Sequence, residues 1–256
     1  MRLDQAVAAR YPEVSRRKAR ELIAAERVFV NDRPIRVASR EVSERDRITL
    51  AEALPEIVVI RETVDWVAVN KPSGIPTQPA RDRKQRSLEE LMRVRYRTLH
   101  LVHRIDTHTS GVVIFAKNPS AAARLSELFA SRGIRKTYLA VVEGTVPKEL
   151  TIETPIGEKD AHSIIRPLRM LDGRTLVEAE IRTGRTHQIR IHMKSIERPV
   201  VGDRRYGSTM KAPRMLLHAW KLEHPDFGEA LVAPVPEDFP PLNTEDPAQG
   251  TEVPSV

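Results

Sequence analysis

Residues 112 to 116, Val-Val-Ile-Phe-Ala, form an unbroken apolar run rich in β-branched side chains, bounded by Gly111 on one side and by Asn118-Pro119 on the other. Successive side chains of a strand point to opposite faces, so a run with no polar member reads as a strand buried in a core. Directly before it stands a polar knot, His103-Arg104-Ile105-Asp106 and then Thr107 to Gly111. The knot puts Arg104 and Asp106 two residues apart at the entrance to a core strand. By default an aspartate just before Thr109-Ser110-Gly111 is a turn former that bonds its own backbone. A second arginine, Arg190, lies on a later segment with a helical apolar seam, where it could meet a carboxylate. In a dry cleft an arginine favours the charged form of a carboxylate. At ~4 Å and an effective dielectric near 20 the attraction is about 4 kcal/mol, enough to offset much of the desolvation.

The pattern on either side of this strand outlines two domains. Within residues 1–50, Ser15 is the N-cap of a helix, SRRKARELIAAE, with Ala19, Leu22 and Ile23 on one face. A hairpin follows, VFVND and RPIRV with Asn31-Asp32 at its turn, and RITL closes the unit. Residues 51–57 read as a linker. Beyond it, DWVAVNK (65–71) is a strand ending in the turn signal Pro72-Ser73-Gly74. Pro119 and Ser120 start a helix carrying Leu125, Leu128 and Phe129, which Gly133 stops. KTYLAVVEG (136–144) and TLVEAEIRT (175–183) alternate as strands do, and THQIRIHMKSI (186–196) reads as a short helix with Ile189, Met193 and Ile196 as its seam. Many strands with few helices predict an α+β class for residues 58–242, a mixed and largely antiparallel sheet, rather than a doubly wound parallel one. The polar, acidic segment 243–256 reads as a disordered tail.

Charge and composition narrow the function classes. All 42 bases and 30 of the 35 acids fall in residues 1–236, so that body carries a net charge of +12. A surface of this sign suits a polyanion, most simply nucleic acid. Arg16, Arg17, Lys18 and Arg20 sit on the first turns of the Ser15 helix, where positive charge opposes the helix dipole, a placement easier to understand if a phosphate backbone docks there. There is no cysteine, so disulfides and thiolate chemistry are excluded. No apolar run approaches the ~18 residues needed to span a bilayer, and the charged N-terminus lacks a signal-peptide core, so a soluble cytoplasmic protein with no membrane association is expected. His187 and His192 are five apart with no glutamate between them, which misses the paired zinc geometry, so no metal is expected. Neither a GxGxxG nor a GxxxxGK[ST] pattern is present, and no cofactor is expected. Nothing in the sequence asks for an obligate protein partner.

The segment HRIDTHTSGVVIFAK (103–117) resembles the signature of the RluA-type pseudouridine synthases. KTYLAVV (136–142) resembles their second motif and GRTHQIR (184–190) their third, with NKPSG (70–74) and VVGDRRYG (200–207) agreeing on the flanks. The likeness extends over roughly 58–240, and Ile105 in place of the usual leucine is its one conservative departure. Residues 1–50 separately resemble the small α/β RNA-binding module of a ribosomal small-subunit protein and of bacterial tyrosyl-tRNA synthetases.

The resemblance implies a reaction in which uridine within RNA becomes pseudouridine: the N1–C1′ bond breaks, the uracil turns, and C5 bonds to C1′. It implies Asp106 as the catalytic carboxylate, acting either by covalent attack or by removing a sugar proton, with Arg190 as its ionic partner. It implies Tyr138 stacked on the target uracil and able to relay a proton, with Ile189 as an apolar floor. Arg104 would enter the space left by a flipped-out base. His103 and Arg185, from the first and third motifs, are expected to contact the RNA, as are Arg16, Arg17, Lys18 and Arg20 from the N-terminal module. The expected substrate is large-subunit ribosomal RNA, with transfer RNA second. A non-catalytic RNA-binding or ribosome-assembly protein is the alternative from another class, and a hydrolase using Asp106 a more remote one.

Overall fold

The computed structural model describes residues 1–50, 56–79 and 86–242. The tail 243–256 and all but the last two residues of the 51–57 linker lie outside the described residues. The chain divides into two units, Met1–Glu56 and Ile57–Val256.

In the first unit, helices α1 (Leu3–Arg10) and α2 (Arg16–Ala24) pack on a three-stranded antiparallel sheet of β1 (Val28–Val30), β2 (Arg33–Pro34) and β3 (Ile48–Leu50), in the order β2-β1-β3. The Ser15 hydroxyl accepts from the Lys18 backbone N–H at 3.2 Å, so the N-cap is where the sequence puts it. Asn31 and Asp32 both take positive φ, 53° and 64°, the two left-handed residues that a tight hairpin turn requires. Leu3, Val7, Ala19, Ile23 and Val28 form the centre of this small core, all fully buried.

The second unit is built on one large sheet. Its strands are β4 (Val58–Glu62), β5 (Trp66–Lys71), β6 (His100–Leu101), β7 (Ser110–Ala116), β8 (Arg135–Glu143), β9 (Leu150–Ile152), β10 (Ser163–Leu171), β11 (Arg174–Ile181), β12 (Leu217–Glu223) and β13 (Leu231–Val232). They run in the order β4-β5-β7-β12-β8-β11-β10-β9, with β6 on β7 and β13 on β12. Among the described residues every pairing is antiparallel except β7 with β12, where His218 faces Ser110 and Ala219 faces Gly111. The sheet is therefore two antiparallel halves joined at one parallel seam.

β7 is the apolar run of the sequence, and all seven of its residues are buried. Its two faces are covered by different helices. Val112, Ile114 and Ala116 pack with Ala121 and Leu125 of α4 (Pro119–Ala130), whereas Val113 and Phe115 pack with Leu88 and Met92 of α3 (Leu88–Arg95). On the other half of the sheet, Ile189 and Met193 of α5 (Gln188–Ser195) pack against Ala140, Val142, Val177 and Ala179 of β8 and β11. No helix among the described residues is long and apolar enough to cross a membrane.

Candidate active site

Asp106 lies in the loop that delivers the chain into β7, and the end of β5 clamps that loop. Lys71 is wholly buried, and its ammonium donates to the carbonyls of Pro72 at 2.9 Å, Ile75 at 2.8 Å and Thr107 at 3.1 Å. Burial pushes this amine down to about 7, with the Asp106 charge acting the other way. Three carbonyls ask for three N–H donors, and only the protonated amine has three. Next to it, the Gly74 N–H also donates to Thr107 O at 2.8 Å. The Thr77 hydroxyl donates to the Ile105 carbonyl at 2.7 Å and accepts from the Ile105 N–H at 3.3 Å. Residues on both sides of Asp106 are thus held from one turn, which fixes where its carboxylate points.

The partner of that carboxylate comes from α5. Arg190 Nη1 donates to Asp106 Oδ2 at 3.2 Å, across 84 residues of sequence. The same guanidinium is itself gripped: Nε and Nη2 donate to the two oxygens of Asp203 at 2.6 and 2.9 Å. Its plane lies over the Tyr206 ring, 4.8 Å from the centroid. Arg190 and Asp203 are both almost fully buried, while Asp106 keeps part of its side chain in solvent. His187 stands by, with Nε2 3.7 Å from Asp106 Oδ2 and Nδ1 2.9 Å from the Tyr206 hydroxyl. Burial lowers the His187 pKa against the pull of Asp106. The residue adopts a left-handed φ of 58°, a conformation that costs a non-glycine residue of order 1 kcal/mol or more and persists here just ahead of α5. The helix therefore begins at Gln188, two residues after the start of the segment 186–196 read as helical from sequence. The Gln188 amide pins this entry through Thr183 Oγ1 at 2.6 Å and the Arg185 N–H at 3.1 Å.

A small cavity, about 80 Å³, brings six of the sequence-predicted residues together: Arg104, Asp106, Tyr138, Arg185, Ile189 and Arg190. Tyr138 reaches it from β8, and burial together with the Asp106 charge raises its pKa, so the phenol is protonated at neutral pH. Asp106 and Arg104 also line a much larger cavity of about 940 Å³, whose other walls include Arg204, Arg205 and Arg214. Arg104 is exposed, and among the described residues no hydrogen-bond or ion-pair partner holds it. His103 stands apart from the small cavity. Its Nε2 accepts from the Ile114 N–H at 2.9 Å, and its ring stacks on Phe129 with centroids 4.1 Å apart. Burial pushes its pKa down to about 3, so it is a neutral acceptor that props β7. His192 is likewise internal, bonded through Nδ1 to Ser163 Oγ and through Nε2 to Thr154 O, each at 2.9 Å.

The bases of α2 are not bare. Arg16 and Arg20 donate to the buried carboxylate of Asp4 at 3.1 and 2.8 Å, and Arg2 joins them at 3.2 Å. Arg20 first, then Arg16 and Arg2, hold the Asp4 pKa well below the usual carboxylate range. Arg17 and Lys18 pair with Glu21. The opposition to the helix dipole read from sequence is thus partly relieved from within the unit. The arginines and the lysine of α2 nevertheless keep between 46% and 92% of their side chains exposed.

Lys71, Asp203 and Tyr206 also carry the geometry of the site, although none is among the residues that the sequence marks out one by one. Their signal lies in the flanking pieces NKPSG and VVGDRRYG, which contain all three.

Two antiparallel half-sheets joined at one parallel seam, with an aspartate–arginine pair beside them, can be compared with known proteins. Residues 65–195 match the model of the RNA pseudouridylate synthase family, and residues 1–48 match the S4 domain. The chain is 30% identical to the ribosomal large subunit pseudouridine synthase D of Nitrosomonas europaea, over 94% of this chain and 83% of that one. It is 32% identical to an uncharacterized RNA pseudouridine synthase of Aquifex aeolicus, over 93% and 91%. Among solved structures, human RNA pseudouridylate synthase domain containing 1 superposes with a TM-score of 0.63 at 25% identity, covering 75% of this chain and 88% of that chain. The chain belongs to the RNA pseudouridylate synthase family. It is an RNA pseudouridine synthase, an isomerase that carries an S4 domain ahead of its catalytic domain.

Proposed function

We propose that this enzyme isomerises uridines of large-subunit ribosomal RNA in the cytoplasm, with Asp106 as its catalytic carboxylate. The observation that carries the reading is the 3.2 Å ion pair between Asp106 and an arginine already fixed by Asp203, in a cavity shared with Tyr138. The names of the Nitrosomonas, Haemophilus influenzae and Vibrio cholerae relatives, all ribosomal large subunit synthases, support the choice of RNA.

Each residue then has a task. A stacked uridine cannot reach a recessed carboxylate, so the base must leave the helix. Arg104, exposed on the rim and unheld, fills the vacated space. Tyr138 and Ile189 receive the uracil on an aromatic face and an apolar floor. Asp106 acts at the sugar as the N1–C1′ bond breaks. The C5–C1′ bond forms after the ring turns, and the proton lost from C5 is matched by the one gained at N1. The reaction is redox-neutral and keeps every atom, so side chains and shape suffice for it.

The test is Asp106→Asn on unmodified large-subunit ribosomal RNA transcribed in vitro. Turnover should vanish while RNA binding survives, because phosphate contacts dominate affinity. Residual pseudouridine formation above a few per cent of the wild-type rate would defeat the assignment of Asp106. Mapping pseudouridines in total RNA from cells with and without the gene tests the substrate. Sites that disappear from transfer RNA alone would overturn the ribosomal reading.

A further inference from the structure

A second groove, about 390 Å³, opens beside the Asp106 cavity and shares Arg104, Tyr138 and Arg185 with it. Its lining includes the stacked pair His103 and Phe129 together with Lys136 and Arg132. No acidic residue is among those that line it. Lys136 is 8% exposed, and among the described residues no carboxylate, carbonyl or hydroxyl is hydrogen-bonded to its ammonium. Neighbouring Arg135, Arg166 and Arg182, by contrast, all converge on the buried carboxylate of Glu180. The stem of Lys136 is buried, while its ammonium is not among the buried atoms that lack a partner and so opens into the groove, where an anion could meet it. Burial and the charge of Arg132 accordingly lower the Lys136 pKa.

The local backbone adds a second observation. Arg132 holds a left-handed φ of 63° just past the end of α4, a position where glycine or asparagine is the comfortable choice. Lys136 and Tyr138 are two apart on β8, so they point from the same face of the strand. A group seated on Lys136 is therefore next to whatever stacks on Tyr138.

We propose that Lys136 and Arg132 bind the RNA phosphate that flanks the flipped-out uridine, making this groove the seat of the neighbouring nucleotide. The proposal rests on the reading of the Asp106 cavity as the site of uridine isomerisation. It assigns to Lys136 a binding role distinct from the chemistry of Asp106. A single-stranded RNA run would then enter over the neutral His103–Phe129 wall, pass Asp106, and leave along the larger cavity lined by Arg204, Arg205 and Arg214.

The experiment compares wild type, Lys136→Gln, Lys136→Arg and Asp106→Asn on the in-vitro transcript of large-subunit ribosomal RNA. Lys136→Gln should weaken RNA binding about tenfold and flatten the log–log salt dependence by about 0.7, the signature of one fewer phosphate neutralised on single-stranded RNA. KM should rise by more than kcat falls, and Lys136→Arg should restore most of the affinity. The melting temperature of Lys136→Gln should stay level, because the ammonium that is removed holds no hydrogen-bond partner within the protein. Unchanged affinity and salt slope would overturn the proposal, and so would a fall in melting temperature that accounts for the weaker binding. A short RNA with an uncharged methylphosphonate at the linkage beside the mapped uridine adds a cycle: it should weaken wild type but not Lys136→Gln. Equal weakening of both would place that phosphate elsewhere. If wild type forms no pseudouridine in this RNA while Lys136→Gln still changes the salt slope, the substrate reading fails and the phosphate seat stands.

Discussion

Arg190 serves two carboxylates at once, and this division of its five donors shapes what a substitution there would do. Two donors are spent on Asp203, and one reaches Asp106. A lysine brings the charge but only a point-like ammonium, so it cannot grip Asp203 at both oxygens and still orient Asp106. Arg190→Lys should lower turnover by more than about 100-fold, the scale set by a misplacement of about 1 Å at a reacting group. It should also cost about 2 kcal/mol of stability in urea denaturation, since Asp203 is left buried with part of its hydrogen bonding unmet. A rate near wild type would mean that Arg190 does not position the carboxylate proposed to be catalytic. The Asp106–Arg190 pair is legible in sequence because both residues lie inside motifs, each with a recognisable neighbourhood. Asp203 is not, although it lies within VVGDRRYG. A carboxylate in a Gly-Asp turn has a default role in its own backbone, and only the folded loop shows that its oxygens face Arg190. Lys71 is hidden for a related reason. A lysine at a strand end reads as solvated, and its burial depends on three carbonyls contributed by two separate turns.

Among the secondary-structure elements, the parallel seam between β7 and β12 holds the two half-sheets together and the Asp106 loop in place. Gly111 sits on that seam with φ of 121°, and a Cβ there would fall 2.1 Å from the Ala219 carbonyl oxygen. The atoms it would strike are backbone in a sheet, so they cannot swing away. Gly111→Ala should therefore destabilise the fold by more than about 4 kcal/mol, well beyond an ordinary point substitution, as read from urea denaturation. A change under about 1 kcal/mol would show that the seam yields at this crossing. The apolar run of β7 announces a buried strand, and the helix after Asn118 is bounded by a proline and a glycine, so both are readable. The start of α5 is not, because no local signal separates Thr186 and His187 from the helical segment that follows, while the left-handed φ of His187 keeps both out of it. α3 has a local signal of its own. Ser87 and Glu90 form a capping box, each side chain bonded to the other's backbone N–H, and the S-x-x-E spacing is plain in the sequence. The parallel seam itself has no local signature, since strand order depends on pairing between residues about a hundred positions apart.

For the molecule as a whole, the question is how binding and chemistry are shared between its two units. Residues 1–56 hold 12 of the 42 bases but also 10 of the 30 acids found before Glu237, so most of the net positive charge belongs to the catalytic unit. The S4 unit nevertheless presents Arg16, Arg17, Lys18 and Arg20 on one helix, with Asp4 and Glu21 as their only acidic partners among the described residues. Asp106, Arg190, Tyr138 and their supports Lys71 and Asp203 all lie in the other unit. The S4 bases should therefore supply binding that is equal in the ground and transition states, which raises affinity without raising the saturated rate. A protein beginning at Ile57 should bind large-subunit ribosomal RNA more weakly. Its salt dependence should be shallower by about 0.7 in log–log slope for each phosphate that it no longer neutralises. In single turnover at saturating RNA its rate should stay close to that of the full chain. The measurement is single-turnover kinetics at several salt concentrations on both proteins. If removing residues 1–56 abolishes the saturated rate while affinity and salt slope stay fixed, the S4 unit contributes to the chemistry itself. An unchanged rate with a flattened slope would instead fix its role as an electrostatic anchor, and would leave the choice of uridine to the arginine-lined cavities around Asp106.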